Sequence, residues 1–304
     1  ILRLVSALLA LRMWLLRQPA FTSTVLPAIP RPARWLLRRL FFLPIDAVDR
    51  RFGRGGTMVP PMAEIFAGSV DGFRASGDTL VQHLIEFAGL APATKILDIG
   101  SGMGRLAVPL TDYLSPSGSY DGLDIVESGV AWCNDHIASA HPNFHFHLAD
   151  VFNKEYNPGG RFQASEYRFP YADESFDLVI LISVFTHMLP ADMEHYVSEI
   201  GRVLKPGGRC FATYFLVNDE SRRLMDTGAS SLRLKHDLGT HWVVSTKVPE
   251  LSVGYEETYA RSVYDAGRGF SDVTVHYGGW CGRAPFWSAE SGLGDQDVLV
   301  ATRR

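Results

Sequence analysis

Cysteine is scarce. Cys133, Cys210 and Cys281 are the only three in 304 residues, far apart and in no C-x-x-C pair. That excludes a disulfide framework and argues against a cysteine-built zinc site, and it fits a reducing, cytoplasmic compartment. Repeats and low-complexity tracts are absent. The apolar opening, "ILRLVSALLALRMWLL" (1–16), is interrupted by Arg3 and Arg12. It falls short of the roughly 20 apolar residues a spanning helix needs. The following "RQPAFTS" matches a small-residue cleavage site only weakly. The chain begins with Ile, so a start upstream of residue 1 stays open. Lysine is missing from residues 1–57, which hold ten arginines and two acids, Asp46 and Asp49. That stretch carries +8, and with −4 for the whole chain the rest carries −12. Such asymmetry suggests a membrane or nucleic-acid partner for the leader. The acidic body has no basic or aromatic stripe, which argues against nucleic acid as substrate.

What is present divides the chain in two. Residues 1–56 read as a basic, apolar helical extension. After the Pro-rich "PAIPRP", "RPARWLLRRLFFLPIDAVDRRFGR" (31–54) places Arg34 and Arg38 four apart, beside Trp35, Leu36, Leu40, Phe41 and Leu43. This is the composition of a helix lying in a membrane interface, so residues 1–54 suit an anionic membrane surface. Two alternatives are a helix packed on the main domain and a lid over the active site. Residues 57–304 read as one domain, with 46% hydrophobic and 20% charged residues in the chain, ordinary for a folded protein.

Within that domain strand-like and helix-like segments alternate. "GDTLVQHLIEFAGL" (77–90) has helical spacing and stops at Gly89. "KILDIG" leads to "GRLAVPLTDYL", "SYDGLDIV" to "SGVAWCNDHIASA", then come "NFHFHLADVF", "FDLVILISVF", "PADMEHYVSEIGRVL", the turn "KPGG" and "RCFATYFLV". "SDVTVHYGG" and "QDVLVATRR" read as two further strands. Alternation of this kind predicts an α/β, doubly wound parallel sheet with helices on both faces. The run "LVILISVFT", without alternation, suits its central strand.

A doubly wound sheet binds its ligand outside the carboxyl ends of the strands. There "KILDIGSGMGRLAVPL" (95–110) puts Asp98 and then Gly100, Gly102 and Gly104 at alternate positions, with Ser101 between. Glycines let the backbone turn tightly and a ligand approach closely. The spacing D-x-G-x-G-x-G differs from the dinucleotide pattern G-x-G-x-x-G. Asp124 ends the second strand 20 residues after Gly104, and Asp98, Asp124 and Asp150 are spaced by 26 residues each, one β-α unit. An acid where Asp124 stands can accept two ribose hydroxyls.

These motifs resemble the class I S-adenosylmethionine-dependent methyltransferases, close to the methyltransferase-11 and -25-like branches, over about residues 80–220. The resemblance implies a Rossmann-like seven-stranded sheet of order 3-2-1-4-5-7-6 with strand seven antiparallel, and S-adenosylmethionine as cofactor. It implies that Gly100, Ser101, Gly102 and Gly104 wrap the methionine part and that Asp98 holds its ammonium. Arg105 either reaches the carboxylate or stays solvated. Asp124 and Ile125 would face the ribose, Asp150 and Val151 the adenine, and Ser183 the sulfonium.

Methyl transfer to oxygen also needs a base. His187, after the central strand in "SVFTHMLP", is the candidate, with a packing role as the alternative. His145 and His147 share one face of a strand, but no third ligand is evident. Asn218-Asp219 is only half of a magnesium-binding acid pattern, so no metal is expected. Two segments, 153–173 and 218–262, are long enough to build the acceptor pocket, with His241, Trp242, Tyr255, Tyr277 and Trp280 as candidate lining or core. The expected activity is O-methylation of a small-molecule or lipid-linked acceptor by a protein peripheral at the membrane. The alternative is a non-catalytic, S-adenosylmethionine-binding scaffold attached to a membrane.

Overall fold

The computed structural model describes residues 14, 29, 31–51, 58–65, 72–154, 156–230, 232–265, 267–286 and 295–304. The readings of 1–13, 15–28 and 52–57, and those of the Arg34 and Trp35 side chains, lie outside the described residues. The chain forms two units, Ile1–Asp71 and Gly72–Arg304.

In the first unit, helix α1 (Arg31–Arg51) has two apolar sides. Phe42 and Ile45 are buried with Ala63, and Phe41 and Met62 pack around them. Asp46 fixes this packing, its two carboxylate oxygens accepting the backbone N–H groups of Met62 and Ala63 at 2.7 and 2.9 Å. On the other side Leu36, Leu37, Leu40 and Leu43 are 44–58% exposed. Positions 36, 40 and 43 fall on one stripe of a 3.6-residue helix. No helix among the described residues is long and apolar enough to cross a membrane.

The second unit begins with α2 (Phe73–Ala88), which ends on Gly89 in the left-handed conformation expected of a helix stop. The α/β alternation follows: β1 (Lys95–Ile99), α3 (Ala107–Tyr113), β2 (Ser119–Asp124), α4 (Glu127–Cys133), β3 (Phe144–Leu148), β4 (Phe176–Leu181), α5 (Pro190–Val203) and β5 (Leu204–Tyr214). The chain ends with β10 (Phe270–His276) and β11 (Asp297–Arg303). The sheet order is β10-β11-β5-β4-β1-β2-β3. β11, the seventh strand of this sheet, runs antiparallel to both neighbours, as expected. β4 is central and buried along nearly its whole length, which is why its sequence shows no alternation. β3 is the edge strand, and His145 and His147 on it are exposed while Phe144 and Phe146 point inward.

Two expectations are corrected. The "KPGG" turn is not a separate connection but an irregularity inside β5, where Phe176↔Leu204 jumps to Leu178↔Arg209. The segment after β5, which length alone would leave as a long loop, has regular structure of its own. β6 (Leu216–Val217), α6 (Asp219–Asp226), β7 (His236–Asp237), β8 (His241–Val243), β9 (Val253–Glu256) and α7 (Glu257–Val263) build it. Its four strands form a second sheet, β6-β9-β8-β7. Strands of two to four residues are too short to leave a period in the sequence.

Candidate active site

The glycine loop sits between the ends of β1 and β2. Gly100, Gly102 and Gly104 all have positive φ, at 80°, 59° and 77°, a region that side chains rarely tolerate. The three differ in what surrounds them. A Cβ on Gly100 would come within 2.5 Å of Val184, and one on Gly104 within 2.6 Å of Ile137. At Gly102 it would meet nothing within 4 Å. Gly100 and Gly104 therefore permit close packing, and Gly102 leaves backbone open to a ligand. The loop's amides are largely committed: Gly100 N–H donates to Leu123 O at 2.7 Å, Gly104 N–H to Ser101 O at 3.1 Å, and Gly102 N–H to Asp124 Oδ2 at 2.7 Å. The loop thus contributes shape more than free donors.

Asp124 is 7% exposed. Its other oxygen accepts Val126 N–H at 2.8 Å. Burial raises its pKa, opposed by the backbone N–H groups of Val126, Gly102 and Ile125. The Ser101 hydroxyl is buried over Gly122, whose missing side chain makes room for it, and it has no hydrogen-bond partner among the described residues. A buried orphan hydroxyl beside an open glycine and a buried carboxylate fits a polar ligand with hydroxyl or ammonium groups.

Asp98 is buried one strand away. Tyr120, which the sequence reading missed, donates its hydroxyl to Asp98 Oδ2 at 2.5 Å. Tyr120 lies two and four residues before Gly122 and Asp124 on one face of β2, and that alternation was its signal. Burial raises the Asp98 pKa to about 7; the Tyr120 bond and the Arg105 charge oppose the rise, and Asp124 adds to it. Arg105 is half-buried, and its backbone carbonyl presses on α2 where Gly77 leaves no Cβ in the way.

Asp150 lies two residues beyond the end of β3, not within the strand. Both its oxygens face Arg161, one accepting the backbone N–H at 3.0 Å and the other the guanidinium Nε–H. Val151 is buried and bridges to Phe162. The 153–173 connection is thus closed back on Asp150 rather than open.

Ser183, past the end of β4, has φ 60° although it is not glycine. Two distant side chains hold it: Thr213 Oγ1 accepts its N–H at 2.7 Å, and its hydroxyl pairs with the Gln296 amide. Four residues on, His187 is half-buried with Nδ1 at 2.9 Å from the Glu250 carbonyl. A carbonyl only accepts, so Nδ1 carries the proton and Nε2 is the basic nitrogen of the neutral ring.

Of the expected pocket aromatics, Tyr255 and Trp280 are core, at 0% and 1% exposure. Trp280 Nε1 donates to Asp297 at 2.7 Å. Trp242 donates to Glu256, and Tyr277 to Glu257. His241 is half-buried. Asn218 is the N-cap of α6, its side chain accepting from Ser221 N–H, and Asp219 is exposed and paired with Arg222. Among the described residues no three His, Cys, Asp or Glu side chains converge as a metal site would require.

Residues 97–212 match the family described as "Methyltransferase domain". Methyltransferase GfsG of Streptomyces halstedii is 27% identical over 46% of this chain and 45% of its own length. The tRNA N(3)-cytidine methyltransferase METTL2 of Gallus gallus is 29% identical over 42% of this chain and 32% of its own length. The chain thus spans less than half the length of these relatives. The crystal structure of the PH0226 protein from Pyrococcus horikoshii OT3 superposes with TM-score 0.50 at 18% identity, covering 79% of this chain and 93% of that one. This last likeness speaks to the fold.

Proposed function

We propose that this chain, whose residues 97–212 match a methyltransferase domain, is a class I S-adenosylmethionine-dependent methyltransferase that methylates an oxygen of a small-molecule or lipid-linked acceptor. One observation carries the oxygen reading. His187 stands four residues past Ser183 with its proton fixed on Nδ1 by the Glu250 carbonyl, so Nε2 is available to take a hydroxyl proton.

S-adenosylmethionine supplies an already activated methyl group, so orientation accounts for most of the acceleration. In this reading Gly102 and Ser101 cradle the methionine part and Asp98 faces its ammonium. Asp124 and Ile125 hold the ribose; Asp150 and Val151 border the adenine. Ser183, fixed by Thr213 and Gln296, sets the wall beside the sulfonium. With the cofactor bound, it would supply the methyl group and leave as S-adenosylhomocysteine, and His187 Nε2 would take the acceptor's O–H proton.

The tRNA named for METTL2 belongs to a relative matched over a third of its length, and the −12 body of this chain argues against a polyanionic acceptor. The exposed leucines of α1 and the arginines around them support a place for residues 1–54 on an anionic membrane surface. Salt-sensitive co-sedimentation with anionic liposomes, lost on deleting 1–54, is the expected result; a chain that stays in the supernatant at low salt removes the membrane partner. For the chemistry, extracts are screened for a metabolite or lipid that gains one CH2 with release of S-adenosylhomocysteine. On that acceptor His187→Ala should lower turnover by about 10²–10⁴ while cofactor affinity holds. Wild-type turnover in the variant would assign His187 to packing.

A further inference from the structure

The turn from Ser183 to Met188 is suspended between two parts of the molecule. At its start, Thr213 of β5 and Gln296 before β11 hold Ser183. At its end, the inserted segment after β5 holds it twice. The Glu250 carbonyl meets His187 Nδ1 at 2.9 Å, and the Tyr255 hydroxyl donates to Met188 O at 2.6 Å. Tyr255 is 0% exposed, so its hydroxyl is shut off from bulk solvent. Its ring lies edge-on to Tyr214, and Tyr214 stacks on Phe185 in the same turn, with centroids 5.9 and 5.2 Å apart. Phe185 is likewise fully buried.

We infer that Tyr255 and the Glu250 carbonyl are positioning groups through which the inserted sheet sets the tautomer and orientation of His187. The inference rests on the reading of His187 as the base. Three facts carry it. The inserted segment touches the turn at two consecutive residues, 187 and 188. One contact is to the imidazole itself and is compatible with one tautomer only. The other is made by a buried hydroxyl whose loss leaves the Met188 carbonyl without that donor, a cost the turn relieves by moving. Tyr255 does not touch the reacting atoms. It acts through His187, and it joins the segment expected to meet the acceptor to the group that would take the acceptor's proton.

The test is spectroscopic and needs no acceptor. Long-range ¹H–¹⁵N spectra of the full chain with labelled histidine, assigned against His187→Gln, report which ring nitrogen carries the proton. The wild type should show His187 protonated at Nδ1. In Tyr255→Phe, which keeps the ring and removes the hydroxyl, the preference for that tautomer should weaken about fivefold, the worth of one ordinary hydrogen bond. Pro249→Gly, which loosens the turn presenting the Glu250 carbonyl, should do the same and serves if Tyr255→Phe fails to fold. Cofactor affinity by calorimetry on the same samples should stay within about twofold, since the glycine loop is not a partner of either residue. Protonation at Nε2 in the wild type overturns the inference, and so does a tautomer ratio unchanged in both variants. Failure of S-adenosylmethionine to bind any sample would defeat the functional reading and leave the tautomer result standing.

Discussion

Gly100 and Gly104 on one side of β1, and Thr213 and Gln296 on the far side of β4, serve the same end by different means. The β1–β2–β3 side shapes its loop with backbone. Positive φ angles, missing side chains and one carboxylate taking two N–H groups set the geometry within a few residues. The β4–β5–β11 side shapes its turn with side chains brought from far along the chain. Thr213 lies 30 residues from Ser183 and Gln296 lies 113; Glu250 lies 63 from His187 and Tyr255 lies 67 from Met188. Local backbone devices are costly to alter and common to any chain using this loop. Long-range side-chain contacts can be exchanged one at a time, which suits the side that meets the acceptor in the proposed function.

The largest effect expected from breaking this contrast is on the side-chain half. Asp297 is fully buried and accepts N–H groups from Leu216, Gly278 and the Trp280 ring. Asp297→Ala leaves three buried donors without an acceptor, for a loss of about 3–5 kcal/mol in stability. Thermal and denaturant unfolding measure it. A loss below about 1 kcal/mol would mean that the β6 and β10 ends hold together without this carboxylate. The backbone half should respond in binding instead. Asp124→Ala should weaken S-adenosylmethionine by more than tenfold, as a charge-assisted acceptor is worth roughly 1.5–3 kcal/mol. Unchanged affinity in calorimetry would take Asp124 out of the site.

Those two substitutions also separate what was legible in the sequence from what was not. The 26-residue spacing of Asp98, Asp124 and Asp150 and the glycine loop were readable from chain order and local periodicity, and the antiparallel last strand was implied by the family resemblance those motifs carry. The left-handed Ser183 was not, since a serine gives no sign that Thr213 and Gln296 will hold it there. Nor were the Tyr255 and Trp280 roles readable, because an aromatic residue reads the same whether it lines a pocket or fills the core. The small inserted sheet escaped for a related reason: its strands take their form from one another rather than from a pattern of their own.

A smaller effect sharpens the contrast through protons. Asp98 has a folded pKa of about 7, raised chiefly by burial. A raised acid pKa means that the folded state binds the extra proton, so this contribution to stability is full below the unfolded value near 4 and is lost as pH rises through about 7. If Asp98 faces the cofactor ammonium, binding favours the ionised carboxylate and expels that proton. Calorimetry in buffers of different ionisation enthalpy should find roughly one proton released at pH 6 and almost none at pH 8. Equal release at both pH values would place the ammonium away from Asp98.

The smallest effect is the one whose sign matters most. Arg161 is 78% exposed in its side chain, yet its backbone N–H and Nε–H occupy both oxygens of Asp150. That interaction lowers the Asp150 pKa, so the carboxylate is ionised in either of two roles. If Asp150 reads the adenine, Arg161 competes for the same oxygens, and Arg161→Ala should tighten the cofactor. If Asp150 instead latches the 150–162 loop, with Val151 bridged to Phe162 as the wall beside the adenine, the same substitution loosens that wall and affinity falls. An exposed pair contributes little, so either change should stay below about fivefold. Titration of both Arg161→Ala and Asp150→Asn settles the choice. Opposite signs assign Asp150 to the adenine, and two losses of similar size assign it to the latch. The second outcome would show that on the β3 edge, too, a side-chain contact shapes the site, and that the division between a backbone-built half and a side-chain-built half ends at β2.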